Sequence, residues 1–343
     1  MSANPRDLGF LAPPEWAPHG RCWMAWPCRE EIWPFGIETA RRAFAEVARA
    51  IAEFEPVTMI CRPDLLASAS LELGPGIGLL PMPLDDSWMR DIGPAFVVSG
   101  DGRLAGVTFR FNGWGGLVSD FDQDARLARR LLDHLGLAAF ESPLVLEGGA
   151  ISVDGEGTCL VCEPSILDPK RNPGATREQV EAELARCLGV ARVIWLPYGL
   201  VDDETGGHVD NVARFVRPGT VVAAVDAEGR PNEEPLRANL EVLKTAEDAR
   251  GRRLEVLELP LPKPLPRADG RLLTASYVNF YLANGAVLVP AFADPKDALA
   301  EKVLAQCFPD RQVIRVDARD IVQGGGGIHC ITLDQPQAGL PAT

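Results

Sequence analysis

The chain is expected to form an α/β fold in which five hairpin-plus-helix units ring a common axis, all in one domain spanning residues 1–343. Three observations carry that expectation. Pairs of short apolar runs, each pair closed by a Gly-, Asp- or Asn-containing turn, recur along the chain and are followed by an amphipathic helical stretch. The residues heading these pairs, Trp26, Asp91, Glu147, Asp210, Ser276 and Cys330, recur at intervals of roughly 60 residues. The run from Cys330 onward is placed to close the ring against the first unit.

The elements follow in order. Gly20–Pro27 reads as a strand stopped by proline. Residues 38–55 carry Phe44, Val47, Ile51 and Phe54 at helical spacing, and Val57–Cys61 is strand-like again. Ile92–Val98, a Gly-Asp-Gly turn and Leu104–Phe111 make a hairpin, followed by a helix striped with Leu127, Leu131 and Leu135. Ala150–Val153 and Cys159–Glu163 flank an Asp-Gly-Glu-Gly turn; a helix with Val180, Leu184 and Leu188 and the strand Arg192–Leu196 follow. Asn211–Val216 and Val221–Val225 flank Pro-Gly, then a helix carries Leu236, Leu240 and Leu243 before the strand Leu254–Leu259. Val278–Leu282 and Val287–Pro290 flank Asn-Gly, and a helix with Leu299, Val303 and Cys307 precedes the strand Gln312–Val316. The Pro-rich segment Leu259–Pro266 is expected to be a connector within the fourth unit rather than a domain linker.

Composition narrows the function. With 343 residues, 46% hydrophobic, the chain can bury a large core. A net charge of −14 argues against nucleic acid and anionic membrane surfaces as partners. The start, Met1 to Asp7, lacks the apolar core of a signal peptide, and no apolar run is long enough to span a bilayer. Eight cysteines show no disulfide-like framework. A cytoplasmic protein with reduced thiols is expected, and homo-oligomers are the general expectation for such enzymes.

Chemically active side chains sit at equivalent ends of the units: Asp91, Glu147, His208 with Asp210, and Cys330. Cys330 follows the run Gly324–Gly327, which leaves space for a ligand beside a thiol. Ordinary alternatives exist for each: a surface ion pair for Asp91 with Arg90, a turn for Glu147, a loop cap for His208 and Asp210, and a buried structural thiol for Cys330. In a strand, His208 and Asp210 would share a face. No metal is expected. The four histidines form no i, i+4 pair, and Cys159 and Cys162 would fall on opposite faces of a strand. The chain has no G-x-S-x-G elbow and no phosphate-cradling loop.

A thiolate, an imidazole and several carboxylates suit a planar cationic electrophile. A guanidinium binds carboxylates through paired charge-assisted hydrogen bonds, and its carbon is open to a thiolate from the face of the plane. The departing amine needs a proton from an acid such as His208.

Six stretches carry a resemblance to a known family: Trp88-Met89-Arg90-Asp91-Ile92-Gly93-Pro94, Phe111-Asn112-Gly113-Trp114-Gly115-Gly116, Leu146-Glu147-Gly148-Gly149, Gly207-His208-Val209-Asp210-Asn211, Ser276-Tyr277-Val278-Asn279-Phe280-Tyr281 and Gly-Gly-Ile-His-Cys at 326–330. They resemble the motifs of agmatine deiminases and Porphyromonas-type peptidylarginine deiminases, in order, from about Trp26 to Pro336. The resemblance implies the five-bladed α/β propeller of guanidine-modifying enzymes and hydrolysis of agmatine without cofactor or metal. It implies Cys330 as nucleophile, His208 as acid and then base, and Glu147 as support for His208 and the guanidinium. Asp91 and Asp210 would grip the guanidinium, Glu204 would meet the distal ammonium, and Trp88 would wall the aliphatic chain. Two positions depart from the family pattern, Gly327 for the usual Asn and Gly206 for an often polar residue. The motifs hold no basic residue except Arg90, so free arginine is expected to be a poor substrate. A deiminase for peptidyl-arginine and a non-catalytic guanidine-binding propeller are the rivals.

Overall fold

The structure, a computed structural model, describes residues 4–339. Met1–Ala3 and Leu340–Thr343 lie outside the described residues, and with them part of the N-terminal stretch considered above. The backbone forms five separate sheets of three or four strands in a mixed α/β fold. Each sheet is assembled in the same way. Two strands pair antiparallel, the chain crosses over, and a further strand adds in parallel.

In the second sheet, Ala95–Ser99 pairs antiparallel with Leu104–Arg110, and Ala138–Val145 adds in parallel. In the third, Ile151–Val153 pairs with Thr158–Cys162, and Arg192–Leu196 adds in parallel. Ala213–Arg217, Thr220–Val225 and Glu255–Pro260 repeat the pattern, as do Tyr281–Ala283, Ala286–Ala291 and Gln312–Asp317. A crossover between parallel neighbours requires a long connection, and the amphipathic helices Leu127–Leu135, Arg177–Leu188, Glu233–Thr245 and Asp297–Cys307 supply it. The second and third bury the apolar stripe expected of them, Val180, Leu184 and Leu188 and then Leu236, Leu240 and Leu243, whereas Asp297–Cys307 turns Ala300, Leu304 and Cys307 inward and leaves Leu299 exposed, a correction to the expected Leu299, Val303 and Cys307 stripe.

The first sheet is built from both ends of the chain. His19–Ala25 pairs in parallel with Val57–Cys61 on one side, and antiparallel with Thr332–Pro336 on the other. The helix Ile37–Ala52 makes the crossover, with Phe44, Val47, Ala48 and Ile51 buried. Phe54 lies beyond that helix and is half-buried. The edge strand Gly78–Pro81 and the helix Leu66–Leu73 extend this unit beyond expectation.

Several strands begin later than their sequence suggested, because a helical turn intervenes. Met89–Ile92, Gly148–Ala150 and Val209–Asn211 are each one turn of helix set just before the first strand of a hairpin. His208 and Asp210 therefore do not share a strand face; His208 caps the turn that contains Asp210. The Pro-rich segment finishes the strand Glu255–Pro260 and then opens the connection to the next sheet. Cys159 and Cys162 lie on one strand but pack into different apolar clusters. No helix among the described residues is long and apolar enough to cross a membrane.

Candidate active site

The helical turns ahead of the hairpins pack on one another, which brings residues from four units together. Asp91, Glu147, His208, Asp210 and Cys330 are all buried there. A cavity of about 620 Å³ opens onto this cluster, with Trp88, Asp91, Trp114, Glu204, Arg267 and Cys330 in its wall.

The histidine is held between carboxylates. His208 Nε2 lies 3.4 Å from Glu147 Oε2, and Nδ1 lies 3.7 Å from Asp91 Oδ1. Burial disfavours the imidazolium, but the Asp91, Glu147 and Asp210 carboxylates outweigh it and lift His208 to about 9. Burial also raises Glu147, yet the hydrogen bond and charge of His208 and the nearby Arg171 bring it below the usual carboxylate range. Arg171 Nε donates to both oxygens of Glu147, at 2.9 and 3.1 Å, and Nη2 donates to the Thr205 carbonyl at 2.6 Å. That arginine thereby ties Glu147 to the segment leading into His208.

Asp91 accepts from the Trp114 indole at 2.8 Å and from the Gly149 amide at 3.0 Å. Burial raises its carboxyl, and the Asp210 and Glu147 charges raise it further against the pull of His208. Burial works against Asp210 as well, but its bond to His329 and that ring's charge hold it low. Asp210 Oδ2 lies 2.8 Å from His329 Nδ1 and 3.6 Å from Cys330 Sγ.

Cys330 is the buried thiol at the cavity floor. Burial, then the Asp210 and Asp91 charges, push it well above an ordinary thiol. Asn279 Nδ2 donates toward Sγ at 3.3 Å, and Asn279 Oδ1 accepts from the His329 amide at 2.9 Å.

The glycines explain themselves at close range. A Cβ on Gly149 would stand 2.6 Å from His208 Nδ1 and 3.0 Å from both Asp91 Oδ1 and Asp210 Oδ2. Along Gly324–Gly327, a Cβ would meet Trp33 at 2.5 Å from 324, Trp88 at 2.6 Å from 326 and Asn279 at 2.3 Å from 327. The space that a side chain at 327 would need is thus held by Asn279. Gly206 has a positive φ of 80°, and a Cβ there would lie 3.2 Å from Arg171.

Trp88 lines the cavity and stacks on Trp33, ring centres 5.9 Å apart. Glu204 also lines it, but not as a free anion. Arg267 grips it with two hydrogen bonds, at 2.7 and 2.8 Å, and Arg271 stands 3.4 Å away. The motifs offered no basic residue here except Arg90, and Arg267, from outside them, stands in the cavity wall. Arg267 comes from a tight turn in the 261–280 connection, closed by Arg267 N to the Arg271 carbonyl at 2.7 Å. No motif marked it. Arg90 pairs with Asp334 and Glu15 rather than with Asp91, and is buried.

Sequence reasoning placed Cys330, His208, Glu147, Asp91 and Asp210 in one cluster, and they share one. It missed Arg171, Asn279, Trp114 and His329. Three of these lie inside the motifs quoted above. For Arg171 the only available signal was physical: a buried glutamate needs a counter-charge. Among the described residues, no grouping of His, Cys, Asp and Glu could hold a metal ion.

The model of the Porphyromonas-type peptidyl-arginine deiminase family matches residues 11–336. The chain is 44% identical over 361 residues to the agmatine deiminase of Stutzerimonas stutzeri, covering 98% of each chain. It is 42% identical over 360 residues to that of Ectopseudomonas mendocina, with the same coverage. The solved structure of the Enterococcus faecalis agmatine deiminase matches with a TM-score of 0.94 at 34% identity, over 98% of each chain.

Proposed function

The chain belongs to the Porphyromonas-type peptidyl-arginine deiminase family, and from that membership we propose that it is an agmatine deiminase, a hydrolase of the amidine C–N bond that converts agmatine and water to N-carbamoylputrescine and ammonia. One observation carries the reading beyond family: Cys330 and Asp91 stand in the wall of one cavity, and His208, Glu147 and Asp210 are buried against them through contacts of 3.4 to 3.7 Å.

Asp91 and Asp210 bind the guanidinium of the substrate. Burial and the Asp210 and Asp91 charges favour Cys330 as a thiol, and an arriving cation offsets the two carboxylates that oppose its ionisation. The thiol then loses its proton to solvent in the cavity, and the thiolate Sγ adds to the guanidinium carbon. His208, protonated at neutral pH and supported by Glu147, gives its proton to the nitrogen that leaves as ammonia. The neutral imidazole takes a proton from water, which attacks the covalent amidino-thioether. Collapse breaks the C–S bond, the proton of the added hydroxyl returns to the departing thiolate, and the ureido product is freed. Trp88 walls the methylene chain, and Glu204 receives the distal ammonium once Arg267 yields it. We place the five sheets as blades around this site, consistent with their common build. Homo-oligomeric assembly in the cytoplasm completes the proposal, and the net charge of −14 suits a cationic substrate better than nucleic acid.

Arg267 favours a second reading, because a guanidinium at the cavity's far end can meet a carboxylate-bearing guanidine. Ammonia release from agmatine, arginine and an arginine peptide, at equal enzyme, separates the two. Agmatine is expected to exceed the others in kcat/KM, and Cys330→Ser is expected to abolish turnover. Parity between agmatine and arginine overturns the substrate, and a fully active serine variant overturns the chemistry.

A further inference from the structure

His329 directly precedes the nucleophile, and its ring is wholly buried between two carboxylates. Nδ1 lies 2.8 Å from Asp210 Oδ2, and Nε2 lies 3.0 Å from Glu15 Oε1. Carboxylate oxygens only accept, so both contacts are satisfied when the ring donates from each nitrogen. Glu15 is itself fixed from behind. It accepts from Arg214, whose other nitrogen donates to the Val278 carbonyl at 3.2 Å, and Arg90 Nη1 stands 3.6 Å away. Glu15 and Arg90 line a small cavity of about 80 Å³ that shares no wall residue with the catalytic one. A single line of polar atoms thus runs from Cys330 Sγ through Asp210 Oδ2 and the His329 ring to Glu15, on the other side of the site.

We propose that His329, anchored by Glu15, is a positioning residue that holds Asp210 Oδ2 against both the thiol and the incoming guanidinium. The role follows from what Asp210 lacks elsewhere. Among the described residues, its other oxygen accepts only from the Asn211 amide, at 3.1 Å, a neutral donor that also neighbours it in sequence. Without the Nδ1 donor, Oδ2 would face Cys330 with no fixed partner. Asp210 is faced as well by the charges of His208, Arg214 and Asp91, and by the Cys162 thiol. None of these supplies a hydrogen bond to Oδ2.

The proposal rests on the deiminase reading for its kinetic consequences, so one test needs no substrate. Two substitutions divide the ring's functions. His329→Asn keeps an amide donor near Nδ1, toward Asp210, while His329→Gln keeps one near Nε2, toward Glu15. In kcat/KM for agmatine, the Asn variant is expected to stay within about tenfold of wild type, and the Gln variant to lose at least about a hundredfold. The acidic limb of the Gln variant's pH profile moves to higher pH, because Asp210 has lost the donor that holds it ionised. Independently, alkylation of Cys330 by iodoacetamide is followed across pH by peptide mass spectrometry. With the Asp210 charge less compensated, the alkylation midpoint rises in the Gln variant and rises less in the Asn variant. Glu15→Gln, which leaves the catalytic cavity's wall untouched, gives the same direction and covers the case in which a ring substitution fails to fold. Equal losses in Asn and Gln variants, or alkylation midpoints equal to wild type in both Gln variants, overturn the proposal. If the wild type turns over no agmatine while the midpoints move as stated, the substrate reading fails and the positioning role stands.

Discussion

Replacing Asp91 by Asn tests the electrostatic core of the site in one atom. The side chain keeps its volume and loses its charge. One new NH2 group must face either the Trp114 indole N–H or the Gly149 N–H, both of which donate to Asp91 in the native site. The substitution therefore removes a partner from the bound cation and sets donor against donor. Removing one member of a buried charge pair costs about 2–5 kcal/mol. At about 1.36 kcal/mol per factor of ten, kcat/KM for agmatine should fall by roughly 30-fold to 5,000-fold. The pH profile gives a second reading. Asp91 is the foremost of the carboxylates that lift His208 to about 9, so its loss lowers that value. His208 must carry a proton to release ammonia, and the alkaline limb should move to lower pH. Ammonia release across pH 6 to 10 measures both. Asp133→Asn, at an exposed helix position paired with Arg129, is the control and should leave both unchanged. A loss under about threefold, or an alkaline limb that stays in place, refutes the role of Asp91.

Gly149→Ala should abolish turnover while the melting temperature falls only modestly, since the added methyl lands 2.6 Å from the His208 ring; activity within tenfold of wild type would show that the cluster yields. Arg267→Gln frees Glu204 for the substrate ammonium, so KM for agmatine should fall at near-constant kcat, whereas Glu204→Gln should raise it; an unchanged KM in both places the pair outside the binding path. Stability should also depend on pH through His208. Its folded-state value is raised to about 9 from an ordinary 6.5, so its contribution is full below about 6.5 and is lost as pH rises through about 9. That contribution is about 3 kcal/mol, seen as a urea midpoint that drops between pH 6 and 9.5 in wild type and drops less in His208→Gln. Parallel slopes in the two proteins would count against it.

Periodicity made the repeating build legible, because each hairpin and helix has its own apolar pattern and its own turn. Cys159–Glu163 and Arg192–Leu196 came out within a residue or so of the observed strands. Ala138–Val145 escaped because its exposed face carries Glu141 and a Pro143 interrupts it, so it reads as a loop. The one-turn helices at Met89–Ile92 and Val209–Asn211 escaped because three or four residues are too few to show a period. In the site, the residues with chemistry were visible as letters, and their convergence followed from the repeat. The groups that set their charge were not. Arg171 reaches Glu147 from 24 residues on, and Arg267 reaches Glu204 from 63 residues on, and neither link has a sequence spacing that announces it.

The strand Thr332–Pro336 starts two residues after Cys330 and pairs with His19–Ala25, a strand made far earlier. During synthesis the His19–Ala25 strand has one neighbour, Val57–Cys61, and an open edge on its other side. That edge must wait until synthesis has passed Pro336, more than 300 residues later in the sequence. The thiol reaches its place among the carboxylates only when the late strand docks. A nascent or prematurely ended chain thus carries the acidic cluster but no reactive centre, and it exposes a sticky edge that quality-control machinery can recognise. Seating of the thiol and closure of the first sheet are the same event in this molecule.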